Sequence, residues 1–323
     1  MLNTKESNKK TMGKKYYTNQ SVILVFLILT MSIIATIFNP AFFTFNNLLN
    51  VLNQNAVIGV VAAGATLVMI SGNFDISVGN MIGFSTTTSA LLIVNGWDVA
   101  PAVLIGFAIC VVCGLVNGII IAKTRTPSFI ITLAMMSVYR GISLITTGGI
   151  TQSLSGKFSS LGRGYTFGVI PNPIIVFFSV YIIIWLILKY TKFGRRIYAV
   201  GGNENAAYLS GVNTDRTKIG VYLLNGIIVG VASITLLSRL GSALPTTGSG
   251  MELRAIAAVV IGGVPLSGGR GKAMGTFLGI ILTGLISNIL NLLNISAYYQ
   301  DVAIGFIIAL AVIISNIGTM KRK

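Results

Sequence analysis

This sequence contains no histidine and few acidic residues: its 323 residues include 23 Lys and Arg but only seven Asp and Glu. Without histidine, neither a histidine-ligated metal site nor a histidine proton relay is possible. No two carboxylates lie at helical spacing within one apolar run, so paired acid and base catalysis lacks its groups as well. We therefore expect a chain that is not an enzyme and has no catalytic residues, no metal ligands and no cofactor of its own.

Two short motifs look like chemical sites but lack the residues that would complete them. Cys110 and Cys113 form a C-x-x-C inside an apolar run, and the second ligand pair of a structural zinc site is missing. We interpret both as small buried residues. Lys272 follows a glycine, as in a phosphate-binding loop, but Ala273 stands where that loop needs Ser or Thr, and Leu266 where it needs glycine. We do not expect this chain to bind ATP.

Apolar residues dominate the composition, at 54% of the chain, while charged residues make up 9%. Soluble domains carry about 25% charged residues, and the mean hydropathy of this chain is +0.84. Apolar runs long enough to span a membrane recur from Val22 to Ile317, and no polar block between them is long enough to fold separately. We expect an all-α polytopic membrane protein with one transmembrane domain at 21–318 and cytoplasmic tails at 1–20 and 319–323.

The basic residues form short clusters between the apolar runs. A net charge of +16 alone would fit a nucleic-acid-binding protein. Cytoplasmic loops of membrane proteins collect Lys and Arg, however, and 18 of the 23 basic residues fall in segments that successive spans place on one side. We predict both termini in the cytoplasm, contact with membrane lipid and no nucleic acid partner.

About ten membrane helices are predicted from the apolar runs. We expect them at approximately 21–38, 51–71, 81–94, 102–122, 128–149, 170–188, 219–240, 253–261, 276–293 and 301–316.

The main interruption of these runs is the glycine-rich stretch from Ala258 to Gly275, and SGNFDISVGN at 71–80 is a shorter counterpart upstream. Aligning Ser77 with Ser267 also matches Gly72 with Gly262 and Gly79 with Gly269. Backbone that leaves a helix at membrane depth needs protein or a water-filled cavity around it, and paired interruptions in two halves are typical of transporter repeats. The one carboxylate in the upstream segment should face a cavity or backbone donors. The residues predicted to line the translocation pathway or its gate are Asp75, Ser77, Gly79, Asn80, Gly263, Ser267, Gly268 and Gly269.

Residues 189–218 form the one sizeable polar segment, with six basic and two acidic residues. A two-turn helix is predicted at its centre, over 204–210, with Asn203 as N-cap and Gly211 as the C-terminal stop. Such a helix could dock in a groove of a cytoplasmic partner, or the segment could be an ordinary solvated loop.

Three stretches resemble the ribose-type permease subunits of bacterial ATP-binding-cassette sugar importers: YAVGGNENAAYLSG at 198–211, RAIAAVVIGGVPLSGGRGKAMGT at 254–276 and SGNFDISVGN at 71–80. Asn205-Ala206-Ala207, followed by Gly211, resembles the Glu-Ala-Ala-x-x-x-Gly coupling pattern of importer permeases. Asn205 stands where Glu is usual, and Glu204 lies directly before it. The resemblance implies that ATPase coupling involves Glu204, Asn205, Ala206, Ala207 and Gly211.

The same resemblance implies a multi-pass subunit of the bacterial plasma membrane that moves a monosaccharide inward. An extracytoplasmic binding protein would deliver the sugar, a second permease copy would complete the pathway, and cytoplasmic ATPase subunits would bind ATP and Mg. Polar residues suit a neutral sugar because they exchange hydrogen bonds with its hydroxyls, although each could equally join helices. The candidates are Asn53, Asn55, Asn80, Thr86, Thr87, Asn117, Asn225, Asn288 and Asn291.

An ion-coupled secondary transporter of a small polar solute is the alternative, since it would also show repeats and broken helices. Ion coupling usually needs carboxylates or histidines within the membrane, and only Asp75 and Glu252 could serve. A membrane enzyme is disfavoured because the chain offers no catalytic set.

Overall fold

The computed structural model describes residues 20–296 and, beyond them, residues 299, 302, 305 and 306. Apart from Gln20, the predicted tail at 1–20 lies outside the described residues, as does the tail at 319–323. The same holds for the predicted span 301–316 except at 302, 305 and 306.

The described part of the chain is a bundle of helices with four very short strands. In chain order the elements are α1 (Gln20–Phe38), a 3-10 helix (Pro40–Phe43), α2 (Phe45–Ile70), α3 (Val78–Val94), α4 (Val99–Thr124), α5 (Ser128–Thr147), β1 (Gln152–Ser153), α6 (Ser160–Arg163), β2 (Tyr165–Thr166), β3 (Ile170–Pro171), α7 (Asn172–Tyr190), α8 (Lys192–Gly202), α9 (Glu204–Leu209), α10 (Thr214–Leu240), β4 (Ser242–Ala243), α11 (Met251–Ile261) and α12 (Ala273–Leu292).

Seven of these helices, α1, α2, α4, α5, α7, α10 and α12, are long and apolar enough to cross a membrane, and α3 is a shorter apolar helix. The predicted helical membrane fold is therefore confirmed. The short eighth segment predicted near the main interruption corresponds to α11, which has 11 residues. The link between the predicted spans 128–149 and 170–188 contains α6, β1 and β2, which the sequence patterns did not indicate.

Helix α2 is the centre of the bundle, since it packs against α7, α10, α11 and α12. Within its most apolar 18-residue window 72% of the residues are buried, against 11% for α1. Its central run of small residues, Ala62, Ala63 and Gly64, lets the neighbouring helices come close. The exposed apolar side chains of α1 form part of the surface that a bilayer would cover.

Helices α4 and α10 form the largest helix pair in the bundle. Gly114 and Gly118 of α4 lie against Tyr222 of α10, and a Cβ added at Gly114 would lie 2.8 Å from the Cα of Gly226. Backbones can approach this closely only because glycine has no Cβ. The pair of glycines therefore allows the close helix approach that their spacing predicts.

The two ends of the bundle differ in character. The end that we call the capped end carries the strands: β1 pairs with β4 and β2 pairs with β3, both antiparallel. Below them Leu154, Leu237 and Ala243 form a small buried cluster with the end of α3. The opposite end, the basic end, carries α8, α9 and the exposed Lys192, Arg195 and Arg196.

Candidate functional site

The two predicted interruptions meet at the basic end. We call residues 71–77 the first break and residues 262–272 the second break. The backbone N–H of Gly269 donates a hydrogen bond of 2.8 Å to the carbonyl oxygen of Ile70. A Cβ at Gly268 would lie 2.6 Å from the Cα of Gly72, so the two backbones touch directly.

A third loop joins this contact. Gly201 and Gly202, at the end of α8, lie against the second break, because a Cβ at Gly269 would lie 2.6 Å from the Cα of Gly202. Gly201 also packs on the carbonyl group of Ile70. We call this three-way contact of Gly72, Gly201, Gly202, Gly268 and Gly269 the glycine junction.

Glycine is needed in the junction for conformation as well as for space. Gly72, Gly268 and Gly269 have φ values of 80°, 76° and 73°, a region that residues with a Cβ rarely adopt. The predicted alignment of the two breaks matches Gly72 with Gly262, but Gly262 instead packs against Gly275 at the start of α12. The two breaks are thus in contact without being symmetric copies.

Tyr198 of α8 ties that helix to the second break. Its hydroxyl group donates a hydrogen bond of 2.8 Å to the carbonyl oxygen of Gly271. Burial raises the pKa of Tyr198, so the hydroxyl group keeps its proton and remains a donor.

The first break is held by a buried carboxylate. One oxygen of Asp75, Oδ1, accepts hydrogen bonds from the backbone N–H of Ser77 at 3.0 Å and from its Oγ at 2.6 Å. The other, Oδ2, accepts one from Nδ2 of Asn225 on α10 at 2.9 Å. Asp75 and Ser77 are both buried, so the carboxylate meets the predicted backbone donor and does not face open water.

These contacts extend across two more helices. Asn117 of α4 donates from Nδ2 to Ser77 Oγ at 2.9 Å, and the hydroxyl group of Tyr139 on α5 donates to Asn117 Oδ1 at 2.8 Å. We call Asp75, Ser77, Asn117, Tyr139 and Asn225 the Asp75 network. It joins the first break to α4, α5 and α10.

Two further side chains fix the backbone of the first break at Phe74. The hydroxyl group of Tyr222 donates a hydrogen bond of 2.6 Å to the carbonyl oxygen of Phe74, and the N–H of Phe74 donates one of 2.9 Å to Ser128 Oγ. Sequence reasoning missed Tyr139 and Tyr222. The available signal was a tyrosine within an apolar run, since a buried phenol needs a hydrogen-bond partner.

Gly79 and Asn80, in the first turn of α3, make contacts separate from the junction. A Cβ at Gly79 would lie 2.7 Å from the carbonyl oxygen of Gly248, in the loop before α11. The same Cβ would clash with the carboxylate of Glu252, a buried residue whose Oε2 has no hydrogen-bond partner among the described residues. Asn80 donates to the carbonyl oxygen of Met136 on α5 at 2.9 Å.

The remaining predicted gate residues lie in the second break. Gly263 packs against the side chain of Gln20, whose Nε2 donates to the carbonyl oxygen of Ile261 at 2.9 Å. Ser267 is exposed beside the junction, unlike its counterpart Ser77. The structure therefore brings Gly268 and Gly269 to the first break and leaves Gly263 apart from it.

Helix α9 lies next to the junction in the chain. Asn203 caps it, accepting a hydrogen bond of 2.9 Å from the N–H of Ala206, and Gly211 follows it with a φ of 82°. The predicted N-cap is confirmed, and the helix ends at Leu209, one residue before the predicted end. The polar segment also contains α8, which was not predicted and which begins at the N-cap Thr191.

The surface of α9 is partly apolar. Glu204, Asn205 and Ala206 are exposed, while Ala207 is buried against the rest of the chain. Glu204 forms an ion pair of 2.6 Å with the buried Lys218 of α10.

Two large side chains of α9 point into solvent, since Tyr208 is 67% and Leu209 is 84% exposed. An exposed apolar pair on a capped helix is typical of a surface that another protein covers. The pair was not among the predicted coupling residues.

A small polar pocket lies between α2, α11 and α12. It is lined by Asn55, Ile58, Arg254, Thr283 and Ser287. Of the polar residues predicted for a pathway, only Asn55 belongs to it; Asn225 and Asn117 belong to the Asp75 network.

A bundle of membrane-length helices, crossed by two broken segments that meet beside a capped surface helix, defines a multi-pass membrane protein of the transporter class. Comparison of the sequence with known proteins gives the family. Residues 47–312 match the family described as the branched-chain amino acid transport system / permease component. The chain belongs to this family of permease components.

Individual relatives agree over nearly the whole chain. The ribose import permease protein RbsC of Bacillus subtilis is 43% identical over 287 residues, covering 88% of this chain and 89% of the relative. RbsC of Escherichia coli K12 is 39% identical over 314 residues, covering 94% and 97%. The L-arabinose transport system permease protein AraH of the same organism is 39% identical over 310 residues, covering 96% and 94%.

No solved structure matches this chain. The resemblance to ribose-type permeases is confirmed by these relatives, and the family together with the seven membrane-length helices makes this a multi-pass protein of the cell membrane.

Proposed function

We propose that this chain is the permease subunit of an ATP-binding-cassette importer that carries a monosaccharide, a ribose-like pentose or a related sugar, into the cell. Relatives named ribose import permeases support the solute class. The observation that carries the mechanism is the position of α9: only Asn203 separates this exposed helix from the glycine junction, where both breaks meet.

In this proposal the basic end is cytoplasmic and α9 docks on an ATPase subunit. Tyr208 and Leu209 supply the apolar contact, and the exposed Glu204 and Asn205 supply polar contacts at the same surface. ATP and Mg are bound by the ATPase subunits, while this chain binds no cofactor and catalyses no reaction.

The proposed topology has ten membrane-embedded segments with both termini in the cytoplasm. It places the capped end outside, where an extracytoplasmic binding protein delivers the sugar. A second permease copy, identical or closely related, completes the pathway. The distribution of basic residues supports this orientation.

Two physical links carry movement from α9 into the bundle. The first runs through Gly201 and Gly202 to the breaks at the glycine junction. The second runs from Glu204 to Lys218 of α10, and about two helical turns further along α10, Asn225 holds Asp75. ATP binding to the partner subunits would shift the population between outward-open and inward-open states through these links.

A neutral sugar needs hydrogen-bonding groups that carry little desolvation cost, because each hydroxyl must exchange water for protein. The pocket of Asn55, Arg254, Thr283 and Ser287 offers an amide, a guanidinium group and two hydroxyl groups at membrane-embedded helices. We assign it to the lining of the pathway, with Asp75 and Ser77 bracing the gate.

Reconstitution of the permease with its ATPase and binding protein tests the docking surface. Leu209→Arg should abolish ATP-dependent sugar uptake while leaving the amount of folded permease unchanged, because Leu209 is exposed. The control is Arg216→Leu, at another exposed position of the polar segment, and it should retain uptake. Phe45→Arg is not used as the control because Phe45, although exposed, lies outside this segment. Normal uptake by the Leu209→Arg complex would contradict the docking role.

Ala207 is among the coupling residues that the family resemblance implies, but Ala207→Arg is a poor test of docking. Ala207 is buried within the chain, so an arginine there would disturb the packing of α9 itself. Loss of uptake in that variant would not separate docking from folding.

Ion-coupled transport is the second candidate, and the observation that favours it is the buried Glu252, whose Oε2 has no hydrogen-bond partner within the described part of the chain. The two functions separate in liposomes that contain this chain alone. The importer permease should show no uphill sugar uptake under a proton or sodium gradient, whereas an ion-coupled transporter should concentrate the sugar.

A further inference from the structure

The β2–β3 hairpin at the capped end exposes a group of apolar side chains. Tyr165 pairs with Pro171 and Thr166 with Ile170, which leaves a turn of three residues at the tip. We call Tyr165, Phe167, Val169 and Ile170 the hairpin tip; all four are exposed, and Phe167 is 90% exposed. From Gly164 to Leu188 the sequence contains no charged residue.

The backbone of the tip is held in an unfavourable conformation for its sequence. Phe167 has a φ of 53°, in the left-handed region that large side chains rarely adopt, and Gly168 follows with a φ of 70°. The N–H of Val169 donates to the carbonyl oxygen of Thr166 at 3.3 Å and closes the turn. The ring of Phe167 gains little from packing within the described chain, because it is almost fully exposed.

The base of the hairpin is firmly attached. Arg163 donates from Nε to the carbonyl oxygen of Arg239 at 2.7 Å and from Nη2 to that of Leu240 at 2.9 Å. Asn172 Nδ2 donates to the carbonyl oxygen of Ser160 at 2.8 Å. These bonds fix the direction of the hairpin, so the apolar tip is held out from the bundle.

The depth of the hairpin follows from α7, which begins directly after it. At the other end of α7, Lys189 Nζ lies 4.8 Å from the ring centre of Trp185 and 4.9 Å from that of Tyr190. Aromatic rings with a lysine that extends toward water are typical of a membrane interface.

Helix α7 has 19 residues, which rise about 28 Å in total, close to the thickness of about 30 Å of a hydrocarbon core. If Trp185 and Tyr190 mark one interface, the start of α7 lies at the other. Between these two ends, Ile175, Phe178 and Ile182 are exposed apolar residues suited to face lipid, and the hairpin tip directly precedes this helix in the chain.

We propose that the hairpin tip inserts into the headgroup region of the bilayer at the capped end and anchors that end to phospholipid. The partner is lipid because the tip is uncharged, contains aromatic rings and lies directly before the start of a membrane-length helix. This inference depends on the membrane-spanning fold and not on the transported solute or the ATPase.

A spin label on a single introduced cysteine measures the depth of the tip. The native Cys110 and Cys113 are buried, so the unmodified chain gives the background labelling. Phe167→Cys and Val169→Cys are labelled in the full chain, which is reconstituted alone in phosphatidylcholine vesicles. The matched control is Thr246→Cys, an exposed position in a polar loop that follows β4 at the same end.

The labels at 167 and 169 should collide with oxygen several-fold more often, and with a water-soluble nickel chelate several-fold less often, than the label at 246. Equal nickel accessibility at all positions would overturn the proposal. Nickel accessibility that falls at 167 only when the sugar-binding protein is added would assign the tip to that protein instead. Shielding from both reagents in the vesicles would assign it to a second copy of the chain, and would equally overturn lipid insertion.

Discussion

The first and second breaks have related sequences but opposite surroundings. The first is mostly buried: side chains from α5 and α10 hold Phe74 and Asp75, and Asn117 of α4 holds Ser77. The second carries the exposed Ser267, Arg270 and Lys272. Within the described part of the chain, its hydrogen bonds to segments outside α11 and α12 are the backbone bond to Ile70 and the bond from the Tyr198 hydroxyl group. Two segments of related sequence can thus differ in role: one is buried and fixed, and the other is exposed and can move with the elements next to it.

This difference indicates which break moves. Displacing the first break means breaking several buried hydrogen bonds, each of which leaves an unpaired polar group in a low-dielectric interior. Displacing the second requires fewer such losses. We therefore expect α8 and α9 to carry the second break with them, while the first keeps its hydrogen bonds to α5 and α10 and moves only together with those helices.

Thiol labelling should give the largest contrast between the breaks. Ser267→Cys should react with a water-soluble maleimide about tenfold or more faster than Ser77→Cys, because a buried thiol reacts only when the structure opens locally. The measurement is the labelling rate in proteoliposomes, with the unmodified chain as background. Similar rates at the two positions would show that the first break is as open as the second.

Removing the carboxylate at the centre of the first break should have the next largest effect. Asp75→Ala leaves the donors of Ser77 and Asn225 unpaired, and should lower the free energy of unfolding by about 3 kcal/mol. Chemical denaturation in mild detergent measures this. Asp98→Ala, at an exposed carboxylate in the turn between α3 and α4, is the control and should unfold like the unmodified chain. Equal free energies of unfolding for the two variants would show that the Asp75 network does not stabilise the first break.

A smaller effect is expected from adding one methyl group to the glycine junction. Gly268→Ala and Gly96→Ala both place a Cβ at a positive φ, but only the first lies against another backbone, 2.6 Å from the Cα of Gly72. The extra crowding should make Gly268→Ala less stable than Gly96→Ala by about 1–2 kcal/mol. The same denaturation experiment gives the difference, and no difference would mean that the breaks separate readily.

Much of the bundle could be predicted because apolar length decides where helices cross a membrane. The predicted start of α2 at Val51 was nevertheless late, since the helix begins at Phe45 after the N-cap Thr44, whose Oγ1 accepts the N–H of Asn47 at 3.3 Å. Residues 45–50 are helical and uncharged but are not strongly apolar as a group, so hydropathy alone does not mark them as part of a membrane helix.

The meeting of three glycine loops could not be predicted, because the sequence locates interruptions but not their partners in space. The alignment of Ser77 with Ser267 treated the two as equivalent, although one is buried and the other exposed. Gly201 and Gly202 look like part of a hydrophilic loop in the sequence, and only their contact with Ile70 and Gly269 gives them a role. Burial and long-range pairing are tertiary properties that local patterns do not encode.

The glycine junction also has a mechanical consequence. Where side chains separate two helices, rotamer changes can absorb a small displacement before it reaches the next element. At Gly72, Gly202 and Gly268 there is no side chain to adjust, so backbone rests on backbone without slack. We therefore expect a small shift of α8 to reach the second break with little loss, because the junction offers no rotamer change that could take it up.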